Sequence, residues 1–310
     1  MDVLCIGSSV VDISAQPVGP SDTWKEKQKI SEIKIMVGGD ASNQSIRLAD
    51  IGLSVGLLTC VGADQNGVFL KASLEERGVD TSNMSSKSGL STGTALVLVS
   101  ADGERHVFST LGAHSLLSKA DCPYSLLDGI SAITIAGLFS LPEFERDGLL
   151  EYLKEAKRRG ILVFSDLATD KLGLGLPGIK RFLPYLDYFL PSLYDAMDMT
   201  GGKDAQECAE IYRSLGVANV IIKCGEDGCY YLSEDISGWA PAVKVSPVDT
   251  TGAGACMCAL FISRILKGDD IDRACRYACA GASYSTLFAG ASSEKITPDI
   301  LDKWIKEQTL

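Results

Sequence analysis

The sequence predicts an α/β fold with a doubly wound, mainly parallel sheet. Short and almost wholly apolar runs alternate with amphipathic helical runs for most of the 310 residues. Such apolar runs suit strands buried on both faces of a parallel sheet, and strand–helix alternation is typical of a doubly wound fold. After Thr250 the pattern becomes helical. This length suits one large α/β domain or two small ones, and it is sufficient for a sizeable core.

The predicted strands are short, and the first three predicted helices each end at a glycine, as expected for C-terminal caps. The strands of the main sheet are Val3–Ile6, Val55–Val61, Ala132–Ala136, Ile161–Ser165, Tyr188–Leu190 and Val220–Lys223. The helices are Asn43–Ile51, Val68–Arg77, Leu149–Arg159, Gly252–Lys267, Ile271–Leu287 and Pro298–Gln308.

Two stretches interrupt the alternation and predict a small separate sheet. Residues 14–37 include a run with period-two alternation, and residues 91–111 carry the hairpin signal Ala101-Asp-Gly-Glu104 between two strand patterns. Neither stretch has a helix that would cover a parallel sheet, so we expect both to form a β-sheet lid over a cleft. The remaining residues, 1–13, 38–90 and 112–310, make up the expected α/β domain.

Composition and charge exclude several classes of function. A net charge of −11 argues against general nucleic-acid binding, which needs cations to replace phosphate counterions. The ten cysteines include no Cys-x-x-Cys pair, so zinc-ribbon spacing is absent and free thiols in a reducing compartment are expected. With neither a leader pattern nor an apolar run of about 18 residues, we expect a cytoplasmic protein with no membrane partner. With only two histidines, His106 and His114, the sequence offers few ligands for a His-rich metal site and few candidates for a Ser-His-Asp triad.

The most specific motif is Asp249-Thr-Thr-Gly-Ala-Gly-Ala255, at the start of a predicted helix. Gly252, Ala253 and Gly254 allow the backbone to approach a ligand closely, and their amides lie at the positive end of the helix dipole. Such a helix start suits an anion, including a phosphoryl group in transfer. On motif shape alone, a helix start of small residues packed against a neighbour is an equal alternative.

A second glycine-rich turn, Val37-Gly-Gly-Asp-Ala-Ser-Asn43, also enters a predicted helix. Asp40 and Asn43 suit hydrogen bonds to sugar hydroxyls, because a carboxylate accepts and an amide both donates and accepts. Taken alone, the same residues also suit a simple N-cap at Asp40 or Ser42. Asp12 follows the first strand, where open α/β sheets bind ligands, although a single aspartate there also suits a turn.

Two other nucleotide-binding patterns are rejected. Gly173-Leu-Gly-Leu-Pro-Gly178 fits the pattern GxGxxG, but it does not directly follow a predicted strand and Pro177 interrupts it. The dinucleotide motif requires strand, glycines and helix in that order, so we interpret this segment as a loop. The sequence contains no GxxxxGK[ST], which excludes a P-loop.

Together, the GG-x-x-x-N turn and the DTxGAG motif resemble the ribokinase-like (PfkB) family of carbohydrate kinases, closest to bacterial sugar kinases whose first motif reads GGDA-x-N. The resemblance covers essentially the whole chain. It implies an α/β domain with a small β lid and ATP-dependent phosphorylation of a sugar hydroxyl. It also implies ATP and Mg²⁺ as cofactors, K⁺ as a further candidate, and a homodimer formed through the lid.

The resemblance also implies a role for each residue of the motifs. The sugar would contact Asp12, Gly38, Gly39, Asp40 and Asn43. The anion hole for the transferred phosphoryl group would consist of Gly252, Ala253 and Gly254. The nucleotide would lie along Ser192, Lys223, Gly225, Gly228 and Cys279. Asp195 would hold magnesium, and a monovalent cation would lie at Asp249, Thr251 and Gly290.

One departure from the family pattern affects catalysis. The motif in the family ends DTxGAGD, and its last aspartate is the general base that takes the proton of the attacking hydroxyl. Ala255 occupies that position and has no titratable group. Because loss of a positioned base typically costs about 10²–10⁴-fold in rate, we expect a kinase that binds its substrates but turns over slowly. Ser192, Asp195 and Cys279 also replace the Asn, Glu and Asn of close relatives.

Three interpretations remain open. The intact glycines and the intact segment Asp249–Thr251 favour an active kinase with a deliberate Asp→Ala change that traps its substrates. The alternatives are a natural pseudokinase that senses sugar or nucleotide, and a nucleoside kinase of the same family. A nucleoside would need an apolar slot near the lid, which Phe108 or Phe139 would supply.

Overall fold

The computed structural model describes residues 1–19, 22, 25–101 and 105–308. Within these residues the larger sheet has nine strands in the order β13-β12-β11-β10-β9-β8-β1-β4-β5. Its strands are β1 Val3–Gly7, β4 Val55–Gly62, β5 Met84–Lys87, β8 Ala132–Leu138, β9 Leu162–Leu167, β10 Tyr188–Phe189, β11 Asn219–Lys223, β12 Cys229–Leu232 and β13 Ser237–Ala240. All neighbours are parallel except β11–β12 and β12–β13, which confirms the predicted fold class.

Helices cover both faces of this sheet because its strands are apolar on both sides. Val3 and Cys5 of β1 face one core cluster, whereas Leu4 and Ile6 face the other. Along the described chain the helices are α1 Asp40–Asp50, α2 Gln65–Glu76, α3 Pro142–Asp147, α4 Leu149–Arg158, α5 Gly175–Ile179, α6 Leu193–Thr200, α7 Ala205–Ser214, α8 Ala253–Leu266, α9 Ile271–Ser285 and α10 Pro298–Gln308. Helices α1, α8 and α9 pack on one face, and α4 and α7 pack on the other.

A second sheet, which we call the lid, contains four strands in the described part of the chain, ordered β3-β2-β6-β7. They are β2 Val10–Gln16, β3 Glu32–Gly38, β6 Gly93–Val99 and β7 Arg105–Ser109. Strand β2 begins at Val10, before the boundary at residue 14 that the sequence suggests. The hairpin signal at Ala101–Glu104 lies largely outside the described residues, which resume at Arg105.

The chain order of the large sheet places a crevice at one end of β1. Strand β1 lies between β4 and β8, so successive units of the chain diverge on its two sides. In doubly wound sheets, ligands bind at the carboxyl ends of strands beside such a switch point. The lid strand β2 begins three residues after β1 ends at Gly7, so the lid adjoins this same end.

Two features of the fold differ from the sequence-based expectation. The segment Gly173–Gly178, interpreted as a loop, contains the start of the short helix α5, because Pro177 is compatible with the first turn of a helix. The strands β5, β12 and β13, which carry few consecutive aliphatic residues, were not expected. No helix among the described residues combines the length and apolarity that a membrane span requires.

Candidate active site

A cavity of about 320 Å³ lies between the lid and the carboxyl ends of β1, β8 and β9. Its volume is at the lower end of the range typical of small-molecule sites, ~300–1,000 Å³. Strand ends, the lid and the start of two helices all contribute lining residues, which are Ser8, Val10, Asp40, Thr94, Ala95, Ser109, Thr110, Leu111, His114, Phe139, Ser140, Leu167, Ala168, Thr169, Lys171 and Asp195. Of the residues predicted to bind a ligand, Asp40 and Asp195 line it directly.

The first glycine-rich turn brings the predicted sugar-binding residues together. Gly39 has φ of +89°, and a Cβ there would lie 2.5 Å from the carbonyl oxygen of Ser8, so only glycine fits between β1 and α1. Gly38 ends β3, directly beside the carboxylate of Asp12 on β2. Asn43 is buried in the first turn of α1, and its Oδ1 has no hydrogen-bond partner. Gly39 is the N-cap of α1 without a side-chain cap, so neither Asp40 nor Ser42 serves as one.

Asp40, the first residue of α1, lies in an acidic and buried environment. Its pKa is raised to about 7, by burial first and then by the neighbouring Asp166, against the opposing charge of Lys223. Asp12 is also buried, which raises its pKa to about 6. Around neutral pH, Asp40 therefore lies near the midpoint of its titration and accepts a hydrogen bond or a proton readily.

Asp166 and Lys223 form a buried ion pair at the base of the site. The Lys223 Nζ lies 3.7 Å from Asp166 Oδ2 and donates to Cys258 Sγ at 3.6 Å. Asp166 Oδ1 accepts from the Gly137 amide at 2.6 Å, and its Oδ2 accepts from Gln44 Nε2 at 3.2 Å. Burial alone would lower the pKa of Lys223, but the surrounding acidic groups raise it, so the ammonium stays charged.

The second glycine-rich motif forms the N-terminus of α8. Gly252 is its N-cap with φ of +77°, and a Cβ at Gly252 would lie 2.5 Å from the Cβ of Ala291. A Cβ at Gly254 would lie 3.5 Å from Lys223 Nζ, so this ammonium faces the first turn of the helix. The dipole of α8 and Lys223 therefore both favour an anion at this position. Ala255 follows on α8 and is buried.

The residues of the predicted monovalent-cation loop also lie together. Asp249 Oδ1 accepts from the amide and hydroxyl of Thr251 at 2.9 and 2.6 Å. Its Oδ2 accepts from the Gly290 amide at 2.8 Å, which joins the two turns of the loop. The Asp249 carboxylate and the backbone carbonyls of the loop would both be available as oxygen ligands for a cation. Carbonyl oxygens suit a hard cation, so the loop fits the implied group.

The predicted nucleotide-side residues gather around the end of β11. Ser192 is the N-cap of α6, and its backbone forms an isolated parallel β-bridge with Lys223. Its hydroxyl donates a hydrogen bond to Asp195 Oδ2 at 2.5 Å. Both side chains offer the oxygen ligands that Mg²⁺ prefers, so the donor set fits this ion. Gly225 and Gly228 flank the turn between β11 and β12.

Cys279 reaches the same turn from α9. Its Sγ lies 3.6 Å from the Sγ of Cys229, the residue that follows Gly228, and 3.5 Å from the carbonyl oxygen of Ala240. The thiol is buried, and its pKa is raised by its hydrogen bond to Cys229 and by burial. It therefore remains a neutral, packed group beside the predicted nucleotide path.

Sequence reasoning missed three polar residues of this region. Asp166 ends an apolar strand run, and its position at the carboxyl end of β9 is the signal that could have identified it. Lys171 lies in the loop after β9, where no sequence pattern marks it. His114 lines the cavity although the sequence suggested no role for either histidine. Phe139 also lines it, whereas Phe108 is half-exposed on the lid.

Comparisons with known proteins show the family and the fold of the chain. The model of the pfkB family of carbohydrate kinases matches residues 1–298. The ribokinase of Haemophilus influenzae is 26% identical over 265 residues, which cover 84% of each chain. The solved ribokinase of Thermotoga maritima superposes with a TM-score of 0.83 at 26% identity over 99% of each chain. An E. coli structure in complex with ATP and Mg²⁺ gives a TM-score of 0.86 at 22% identity, again over 99% of each chain. The chain therefore belongs to the pfkB family of carbohydrate kinases.

Proposed function

We propose that this protein transfers the γ-phosphoryl group of ATP to a sugar hydroxyl, and that it does so slowly because Ala255 supplies no base. The observation that carries the proposal is the N-terminus of α8, where Gly254 faces Lys223 next to the acidic cavity. The backbone amides at the start of α8, the helix dipole and the charged ammonium of Lys223 together would stabilise the negative charge of a phosphoryl group in transfer.

The sugar side of the proposal rests on the turn between β3 and α1. Asp12, Gly38, Gly39, Asp40 and Asn43 would surround the sugar. The unpartnered Oδ1 of Asn43 supports this role, because the protein itself does not use that acceptor, and the Asp40 carboxyl group lines the cavity. Ordered acceptors on one side of the sugar would orient its hydroxyl toward Gly252–Gly254.

We assign the nucleotide to Ser192, Lys223, Gly225, Gly228 and Cys279, with Mg²⁺ held through Asp195. Magnesium would neutralise phosphate charge, while Lys223 and the α8 amides would position the transferred group. The related E. coli structure, solved with ATP and Mg²⁺, supports this cofactor choice. Potassium at the loop of Asp249, Thr251 and Gly290 would order the start of α8.

The lid supports the proposed homodimer. Several apolar side chains of its strands are more than half exposed: Ile33, Ile35, Val107 and Phe108. Exposed apolar groups clustered on one sheet are typical of an interface. We propose that two lids pack against each other and that each lid excludes water from its own cavity.

A screen for ADP release tests the kinase proposal. The variant Ala255→Asp, supplied with Mg–ATP and a panel of sugars and nucleosides, should release ADP with at least one sugar. The matched variant Ala255→Asn has similar size but no base, so it should remain slow. If no compound of the panel stimulated ADP release by Ala255→Asp, the kinase proposal would be wrong and the sensor interpretation would replace it.

The nucleoside alternative is favoured by one observation. Phe139 lines the cavity with φ of +79°, a strained conformation that holds its ring in place. A thermal-shift panel that compares nucleosides with free sugars separates the two substrate classes. Stabilisation by nucleosides alone would favour the nucleoside kinase.

A further inference from the structure

The lid side of the cavity also carries a positive charge, in addition to the acidic lining residues Asp40 and Asp195. Lys171, in the loop between β9 and α5, lines the cavity and donates to Ser109 Oγ on the lid at 3.4 Å. Lys171 makes no ion pair with a carboxylate in the described part of the chain. The adjacent Asp170 instead accepts from the amides of Leu172 and Gly175. Lys171 is exposed, and it lines the cavity without a carboxylate partner among the described residues.

A buried imidazole lies at the same end. His114 lines the cavity at only 5% exposure, and its Nδ1 has no hydrogen-bond partner. Its pKa is lowered to about 4, by burial first and then by the nearby ammonium of Lys171, so the ring is neutral around pH 7. A buried polar atom without a partner costs free energy unless a ligand satisfies it. His114 and Lys171 thus offer an unused polar group and an unused charge to one bound group.

The two lysines of the site act on different groups. Lys223 faces the first turn of α8, at the proposed position of the transferred phosphoryl group, and its charge lowers the pKa of Asp40. Lys171 contacts the lid strand β7 on the sugar side, and its charge lowers the pKa of His114. The charge of Lys171 is therefore available to the acceptor substrate rather than to the nucleotide.

We propose that the acceptor sugar carries an acidic group, a carboxylate or a phosphate, which Lys171 and His114 bind at the lid end of the cavity. This inference rests on the proposed kinase function. The ammonium of Lys171 and a ring N–H of His114 donate to the anionic oxygens. The neutral hydroxyls of the same molecule then lie toward Asp40 and Asn43, so charge fixes which end of the sugar faces the phosphoryl donor.

Isothermal titration calorimetry with paired probes tests this substrate class on the full-length protein. Gluconate against glucitol isolates a carboxylate, and glucose 6-phosphate against glucose isolates a phosphate. We expect one acidic probe or both to bind about tenfold more tightly than the neutral partner, as typical for a hydrogen bond to a charged group. Whichever pair shows the preference identifies the acidic group.

Variants separate the subsite from general charge effects. Lys171→Gln should reduce the preference for the acidic probe about tenfold and leave the neutral partner unchanged. Lys180→Gln, which removes an exposed lysine at the end of α5 outside the cavity, should change neither. His114→Phe keeps an aromatic ring but removes the ring nitrogen atoms, so it should lower the affinity for the acidic probe and leave that for the neutral probe unchanged.

The outcomes also separate this inference from the kinase proposal. Equal binding of acidic and neutral probes, or a preference that persists in Lys171→Gln, would overturn the acidic subsite. Binding of Mg–ATP together with failure of every acidic probe would also overturn it and leave the kinase proposal intact. Failure of Ala255→Asp to release ADP with any sugar would overturn the kinase proposal itself.

Discussion

Replacing Asp50 should strongly destabilise the protein, because Asp50 neutralises two arginines under the anion site. Its Oδ2 accepts from Arg77 Nη2 at 2.6 Å and from Arg47 Nη1 at 3.3 Å. The side chains of Arg47 and Asp50 are 2% and 1% exposed. Arg47 also donates to the carbonyls of Ala291 and Glu294. The cluster thus fixes the turn against which Gly252 packs.

The magnitude follows from burial. Removing one partner of a buried ion pair typically costs about 3–5 kcal/mol, because the remaining charge stays desolvated and uncompensated. Asp50→Asn keeps the shape of the side chain and removes only its charge, so we expect a loss of about 3–5 kcal/mol in the free energy of unfolding. At about 2 °C per kcal/mol for a large domain, the melting temperature should fall by roughly 6–10 °C.

Urea denaturation measured by circular dichroism provides the assay, with Glu151→Gln as the control. Glu151 forms an exposed pair with Lys154 at 2.7 Å, so its loss should cost less than about 0.5 kcal/mol. A loss below about 1 kcal/mol for Asp50→Asn would refute the reasoning, because a buried arginine that loses its carboxylate partner should lower the free energy of unfolding by more than this.

Two further changes test the site residues. Gly252→Ala forces an L-residue into φ of +77° against Ala291. The affinity for Mg–ATP, measured by calorimetry, should therefore fall at least about tenfold. The control Gly268→Ala has a similar φ but open space around it, so it should leave this affinity unchanged. Burial raises the pKa of Asp40 from 3.8 to about 7, so the folded protein holds a proton that the unfolded chain releases. Stability contributed by protonated Asp40 is therefore present below about pH 4, declines as pH rises to about 7, and stays lost above that. Asp40→Asn should flatten the dependence of the free energy of unfolding on pH in this window, and an unchanged slope in urea titrations would contradict the assigned environment.

The sequence predicted the central sheet well because its strands are continuous apolar runs, which few other structures accommodate. Strand β1 shows why, since Leu4 and Cys5 face opposite helical layers and both must be apolar. The edge strands β5 and β13 and the inner strand β12 escaped prediction because they are short and carry few consecutive aliphatic residues. Strands β12 and β13 pair through short turns, Lys223 with Cys229 and Leu232 with Ser237, so the missing signal was an apolar run rather than a contact remote in sequence.

The site was predicted in part for a related reason. Glycines that require positive φ, such as Gly39 and Gly252, mark the two turns directly in the sequence. No sequence pattern identifies Asp166 as a site residue, because its role depends on its ion pair with Lys223, which lies on another strand. Likewise, Lys171 and His114 meet only because the lid brings their segments to one cavity.

The most direct test of the proposed function is the rate of phosphoryl transfer at residue 255. With a sugar identified by the ADP-release screen, single-turnover rates of the protein and of Ala255→Asp should be compared at saturating Mg–ATP, with Ala255→Asn as the control. We expect Ala255→Asp to be faster by about 10²–10⁴-fold and Ala255→Asn to match the unchanged protein, because only aspartate supplies a base. Equal rates for all three would contradict the claim that this site is a kinase centre lacking only its base.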